Sequence, residues 1–241
     1  MQLHQILFSQ GFGTRRVCTG LVEQGFVEID GSVHDDPFEQ LDPIGLRFRV
    51  QGKAWEYHEK AYLLLNKPAG YECSQKPGAW PSVYTLLPAP LRQRAGPGAT
   101  PGVQAIGRLD QDTTGLLLFS DDGKFIHRMA SPKWHVPKVY RVTCEQPVDE
   151  KQARSLLAGV TLRDDPVAVK AAACEIVTSY VLDLTLTEGK YHQVKRMIAA
   201  VGNHVVALDR VRIGGIDLPS DLARGEWRWL RTDEVQALAG R

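Results

Sequence analysis

Helical and strand-like spacings alternate along the chain. Leu3, Ile6, Leu7 and Gln10 follow helical spacing, and Gly11-Phe12-Gly13 ends that run. Thr14 then stands at the cap position of a second helix, Arg15 to Gln24, which Gly25 closes. Phe26-Val27-Glu28-Ile29 alternates with period two, Asp30-Gly31 supplies a hairpin turn, and Ser32-Val33-His34 returns. Two helices and a hairpin within about 50 residues make a module at the small end of domain size. Gln51 to Lys60 is polar around Gly52 and reads as a linker, placing the first domain at 1–52 and the second at 60–241.

The second part opens on Ala61 to Asn66, an apolar run too short for a helix and so a buried strand. Lys67-Pro68-Ala69-Gly70-Tyr71 follows as a turn, Pro68 fixing φ and Gly70 free to take φ > 0. Pro88 to Gly102, rich in Pro, Gly and Ala, reads as a surface loop able to move over a site. Two short apolar runs, Val103 to Ile106 and Leu116 to Phe119, then clamp a polar loop, Gly107 to Thr114. Lys124 to Ala130 is a short helix stopped by Ser131-Pro132. In the strand Lys138 to Thr143, Lys138, Tyr140 and Val142 share one face. Asp149 to Ala158 is helical, and Ala171 to Thr187 gives two strands around Thr178-Ser179. A helix from about Gln193 to Val201 ends at Gly202-Asn203. Strands follow at His204 to Leu208 and Val211 to Ile213, and Thr232 caps a last helix, Asp233 to Ala239. Short strands with irregularly placed helices predict an α+β fold with a mixed, largely antiparallel sheet.

Composition narrows the function classes. Four cysteines, Cys18, Cys73, Cys144 and Cys174, lie far apart, which speaks against a zinc site or disulfide framework and for a reducing cytoplasm. No stretch is apolar enough to cross a bilayer, and the N-terminus lacks a signal-peptide pattern. The formal net charge is +1, yet residues 1–60 carry six Lys/Arg against nine Asp/Glu and residues 61–141 ten against five. Basic charge therefore gathers around the clamped loop. No phosphate-binding glycine loop, dinucleotide fingerprint, Gly-x-Ser-x-Gly elbow or metal-ligand histidine spacing is present. What remains is a carboxylate, Asp110, on a loop held between two core strands, with cations and a tyrosine elsewhere that could converge on it. Taken alone, such an aspartate caps its own loop more often than it catalyses.

Several segments together change that ranking. Gly107-Arg108-Leu109-Asp110-x-x-Thr113-x-Gly115-Leu116-Leu117 resembles the signature of the pseudouridine synthases. Asn66-Lys67-Pro68-x-Gly70-Tyr71 is similar to their first motif. Glu188 to Met197, followed by Gly202-Asn203-His204-Val205-Val206, is similar to their C-terminal motif. The N-terminal module resembles an S4 RNA-binding domain through Thr14-Arg15-Arg16 and Gly25 to Gly31. The resemblance covers essentially the whole chain and is nearest to the synthases of 16S ribosomal RNA.

It implies isomerisation of one uridine in 16S ribosomal RNA, the uridine-516 type of activity, without metal, nucleotide or redox cofactor. Asp110 falls on the nucleophile, attacking sugar or base, and Lys195 on its basic partner. Tyr140 falls on the residue that stacks on the flipped base, a core aromatic being the plain alternative. Arg108 falls where an extruded nucleotide leaves a gap, with an ion pair to Asp110 or Asp112 as the alternative. Leu208 falls on the wall of the uracil pocket, or equally in the core, and Lys67, Arg15 and Arg16 on RNA-contacting positions. The implied protein is a cytoplasmic monomer whose partner is ribosomal RNA, free or in an assembling small subunit. The rivals are a synthase acting on 23S ribosomal RNA and a non-catalytic RNA-binding assembly factor. A glycosidase using Asp110 and Asp112 fits poorly, since its carboxylates must straddle a sugar roughly 5 Å or more apart.

Overall fold

The computed structural model describes residues 1–94, 101–163 and 165–238 of the 241-residue chain. Helices α1 (Leu3–Gln10) and α2 (Arg15–Glu23) form where the spacing places them, with Leu3, Ile6 and Leu7 fully buried and Thr14 capping α2 by accepting from Val17 N–H at 3.3 Å. Strands β1 (Val27–Ile29), β2 (Ser32–Val33), β3 (Arg47–Val50) and β4 (Lys53–Glu56) make a four-stranded antiparallel sheet in the order β2-β1-β3-β4.

The polar stretch Gln51 to Lys60 is thus no linker. Its first part is a hairpin turning at Gln51-Gly52, both at positive φ (51° and 75°), as a two-residue hairpin requires. No residue of β4 is buried, so no apolar alternation betrays it, although Trp55 packs edge-on against Phe12 at 5.4 Å. The hairpin carries the first sheet past residue 52, to Glu56.

The chain divides into two compact units. The first comprises the described residues of Met1–Tyr62, Thr85–Gln104 and Phe119–Asp122, and the second the other described residues. The Pro88–Gly102 segment differs from a surface loop. Helix α3 (Ala89–Gln93) lies within it, and Leu91 and Arg94 are buried; positions 95–100 lie outside the described residues. Arg94 donates through Nε to Asp121 at 2.6 Å, through Nη1 to Gln10 at 2.8 Å and through Nη2 to the His58 carbonyl at 2.7 Å. This ties α1, residues 58–59 and the turn after the clamped loop into the first unit. Removing one partner of a buried ion pair costs about 3–5 kcal/mol. Arg94→Ala is therefore expected to lower unfolding free energy by about that amount in urea titration, and a loss under 1 kcal/mol would contradict this reading.

In chain order the remaining elements are β5 (Tyr62–Lys67), β6 (Gln104–Ile106), β7 (Thr114–Ser120), α4 (Gly123–Ala130), β8 (Lys138–Cys144), α5 (Glu150–Ala158), β9 (Val160–Leu162), β10 (Asp165–Val169), β11 (Ala173–Thr178), β12 (Val181–Leu186), α6 (Gln193–Ala200), β13 (Val205–Ile213), β14 (Ile216–Asp217), β15 (Trp227–Trp229) and α7 (Thr232–Leu238). The predicted end of the last helix, Ala239, lies outside the described residues. A nine-stranded sheet runs β11-β12-β8-β13-β7-β5-β15, with β14 beside β13 and β6 beside β7. The pairs β11–β12, β12–β8, β8–β13, β13–β14 and β15–β5 are antiparallel and β13–β7 is parallel, giving the mixed, largely antiparallel α+β architecture that the pattern predicts. Strands β5 and β7 sit inside the sheet, which is why Leu63–Leu65 and Leu116–Phe119 are fully buried without alternation. Helix α6 lays Val194, Met197 and Ile198 on Val142, Leu182, Leu184 and Leu208 of β8, β12 and β13 in one core cluster. The two strands expected at 204–208 and 211–213 are one, β13, continued through register shifts near Ala207 and Arg210.

Candidate active site

The loop between β6 and β7 is fixed from below by a buried lysine. Lys67, the last residue of β5, has no exposed surface, and its ammonium donates to the carbonyls of Asp110 (3.0 Å), Gln111 (3.3 Å), Thr113 (2.8 Å) and Pro68 (3.1 Å). Four carbonyl dipoles replace water around the charge, while burial still pulls its pKa below that of an ordinary lysine. The expectation that Lys67 meets RNA is corrected accordingly: it has no face to offer, and it positions the loop. Gly70 N–H donates to Gln111 O at 2.8 Å, so the turn after Lys67 grips the same loop from its side.

The loop's exit is equally tight. Gly115, at φ 102°, pairs with Arg210 in the parallel ladder, and a Cβ there would fall 2.3 Å from both the Arg210 carbonyl and the Asp209 carboxylate. Strand β13 thereby comes up against the loop and brings Leu208 and Arg210 with it.

On this frame Asp110 is half-buried beside two cationic or ionisable groups. Lys195, on α6, places Nζ 3.4 Å from one carboxylate oxygen, and His192, at the start of that helix, places Nε2 3.4 Å from the other. Lys195 also holds Asp112 at 2.7 and 2.9 Å. Burial works to lower the Lys195 pKa, but the hydrogen bond to Asp112 and the charges of Asp110 and Asp112 together raise it above the ordinary value. Burial likewise works against the Asp112 carboxylate, and Lys195 outweighs it, leaving Asp112 below the usual aspartate pKa. The ammonium is thus secured as a cation between two carboxylates.

Tyr140 on β8 faces Arg210 across the strand pair. The Arg210 guanidinium lies 6.0 Å from the ring centroid, Nη1 is 3.5 Å from the hydroxyl, and Nε donates to Leu116 O at 2.8 Å. Two residues before Tyr140, and so on the same face, Lys138 donates to Val136 O at 3.0 Å. Burial, with Arg210 contributing, pushes the Lys138 pKa down to about 8. Between pH about 8 and the ordinary 10.5 the unfolded chain therefore binds more proton at this lysine than the folded one, and the Lys138 contribution to stability rises with pH across that window. Lys138→Met is expected to flatten this rise in urea titrations at pH 8 and 10; an unchanged rise would locate its origin elsewhere.

Asp110, Lys195, His192, Tyr140, Leu208 and Arg108 line one cleft of about 70 Å³. That is well below the roughly 300–1,000 Å³ of pockets for drug-sized ligands, so the feature is a small slot. Leu208 is both slot wall and core residue, and its two sequence readings merge. Arg108 is exposed at the rim and, among the described residues, forms no ion pair with Asp110 or Asp112, whose partner is Lys195. Arg15 and Arg16 are exposed at the start of α2, in the first unit, with the Arg15 guanidinium 5.1 Å from the Phe8 ring centroid.

Two residues beside Asp110 (Asp112 and His192) and one beside Tyr140 (Arg210) have no assigned role in the sequence pattern. For Asp112 the sequence suggests a glycosidase carboxylate or a partner of Arg108, although two acids so close in one loop invite a shared cation, which is Lys195. Arg210 stands two residues from Leu208 on the same strand, which is a usable signal. For His192 the signal is only its place within the Glu188–Met197 motif, and its approach to Asp110 depends on a left-handed backbone (φ 48°) that no spacing reveals.

Residues 61–200 match the family model described as RNA pseudouridylate synthase. The chain is 41% identical over 232 residues to ribosomal small subunit pseudouridine synthase A of Escherichia coli K12, covering 95% of this chain and 96% of that one. It is 38% identical over 236 residues to the protein of the same name from Pasteurella multocida, covering 98% of each. A crystal structure of a pseudouridylate synthase, 35% identical, superposes with a TM-score of 0.67 over 99% of both chains.

Proposed function

We propose a specific reaction for this chain from one premise: it belongs to the RNA pseudouridylate synthase family. The reaction is conversion of one uridine of 16S ribosomal RNA, of the uridine-516 type, to pseudouridine. The uracil leaves C1′ through N1, turns, and rejoins C1′ through C5, while the C5 hydrogen is replaced at N1. Substrate and product are isomers, so the chemistry balances with no co-reactant.

The observation that carries the assignment is the placement of Asp110 and Lys195. The carboxylate lies in a small slot, with the ammonium 3.4 Å away. A base must leave its stack to enter, at a cost of a few kcal/mol offset by stacking and phosphate contacts. Asp110 acts as nucleophile, Lys195 balances its charge, Tyr140 and Leu208 hold the two faces of the uracil, and Arg108 at the rim fills the vacated place. The N-terminal helices and four-stranded sheet, through Glu56, act as an S4-like RNA-binding module with Arg15 and Arg16 toward phosphates, and the second unit, which holds Asp110, Tyr140 and Lys195, acts as the catalytic domain. The protein acts as a cytoplasmic monomer, and among the described residues no helix is long and apolar enough to cross a membrane.

The test is to incubate the protein with unmodified 16S and 23S ribosomal RNA, and with a partly assembled small subunit, and to map pseudouridine by carbodiimide-dependent reverse-transcription stops. A stop in 16S RNA or the small subunit is expected. Stops confined to 23S RNA would move the target, and none anywhere would leave a non-catalytic binding factor.

A further inference from the structure

One feature of the slot's rim is not used by this reaction scheme. Tyr191 is 75% exposed, yet its ring lies flat on His192, with centroids 3.8 Å apart and planes 20° from parallel. Beside it, the edge of the His192 ring reaches Asp110 through Nε2 at 3.4 Å, so the two-ring stack touches the reacting carboxylate at His192 and is open to solvent at Tyr191.

The stack stands on a rigid base. Gln193 is buried, accepts from Lys190 N–H at 2.8 Å and donates to Glu188 at 2.8 Å, closing the segment below the rings. Lys190 is paired with Asp165, and Arg196 donates to the Tyr191 carbonyl at 3.1 Å. A large aromatic held in the open, with its backbone already ordered, is preorganised for a flat partner and loses little freedom on binding one. Unpaired nucleobases are the flat partners that follow, since every base has a π-face to stack on an aromatic ring.

We propose that the Tyr191–His192 stack is a shelf for the nucleobase adjacent to the flipped uridine, continuing the RNA's own stacking onto the protein. The proposal rests on the isomerase reading above and adds a nucleotide-binding subsite to it. The flanking base leaves its lost neighbour and lies on Tyr191, which keeps the RNA strand in register with Asp110.

The experiment uses the full chain and a 16S RNA fragment containing the mapped reactive uridine, with 2-aminopurine placed at either neighbouring nucleotide. The parent protein is expected to quench one of the two probes on binding. Tyr191→Phe keeps the ring and should quench equally, whereas Tyr191→Ala should not. Tyr191→Ala should also raise KM for the RNA about tenfold with kcat within about threefold of parent. Parent-like quenching and KM in Tyr191→Ala sinks the shelf while the isomerase reading stands. No product from the parent on any ribosomal RNA sinks the isomerase reading and the shelf with it.

Discussion

Asp110→Asn is expected to abolish pseudouridine formation, by more than about 10⁴-fold in kcat, while RNA affinity stays within about threefold of parent. The asparagine is nearly isosteric, and Lys195 keeps its 2.7 Å partner Asp112, so the slot should retain its shape. What is lost is the negative charge and the nucleophilic oxygen. Binding depends on phosphate contacts and stacking, which the substitution leaves in place. The measurements are single-turnover product formation and filter binding on the same RNA. Activity within about a hundredfold of parent would remove Asp110 from the role of nucleophile.

Lys67→Met is the second large effect, and it reaches the chemistry through the backbone. Methionine fills the space but leaves the carbonyls of Pro68, Asp110, Gln111 and Thr113 without their shared donor. Each buried acceptor left unsatisfied costs about 1–3 kcal/mol, so a loss of at least about 3 kcal/mol in unfolding free energy is expected. A loop displaced by about 1 Å is enough for a hundredfold loss in rate, so kcat should fall by about that factor with KM little changed. Urea titration and kinetics on the protein shown to be folded at low temperature check both parts. A folded Lys67→Met protein with parent kcat would show that the loop holds its own shape.

The contrast between these two residues shows where sequence was informative. Asp110 was legible as a carboxylate on a loop between two apolar runs, Val103–Ile106 and Leu116–Phe119, but the spacing alone favours a loop cap, and only the family motifs ranked it as a nucleophile. Lys67 was legible as a motif but not as a buried charge, since no spacing reveals that four carbonyls will surround one ammonium. Arg94 is the same case, concealed in a stretch whose prolines, glycines and alanines suggest an exposed loop. Strand β4 was hidden for the opposite reason: with no residue buried, it has no alternation to read. Strand β13 was split because its two irregularities break the period at Ala207 and Arg210. The approach of Lys195 and His192 to Asp110 depends on α6 packing over β13, a long-range fact that the family resemblance implied for Lys195 and nothing implied for His192.

The tight crossing at Gly115 has a consequence for how this sequence can drift. Gly107 and Gly115 bracket the loop and both adopt left-handed φ, 72° and 102°, so by conformation alone they look alike. Around Gly107 nothing lies within 4 Å of an added Cβ, so asparagine or aspartate, which tolerate that conformation, can replace it at small cost. At Gly115 any side chain meets the backbone of the neighbouring strand, and no single compensating substitution makes room. A saturation library selected for folding should therefore accept polar residues at the first glycine and return the second almost unchanged. The loop's entrance is open to evolution, and its exit is closed.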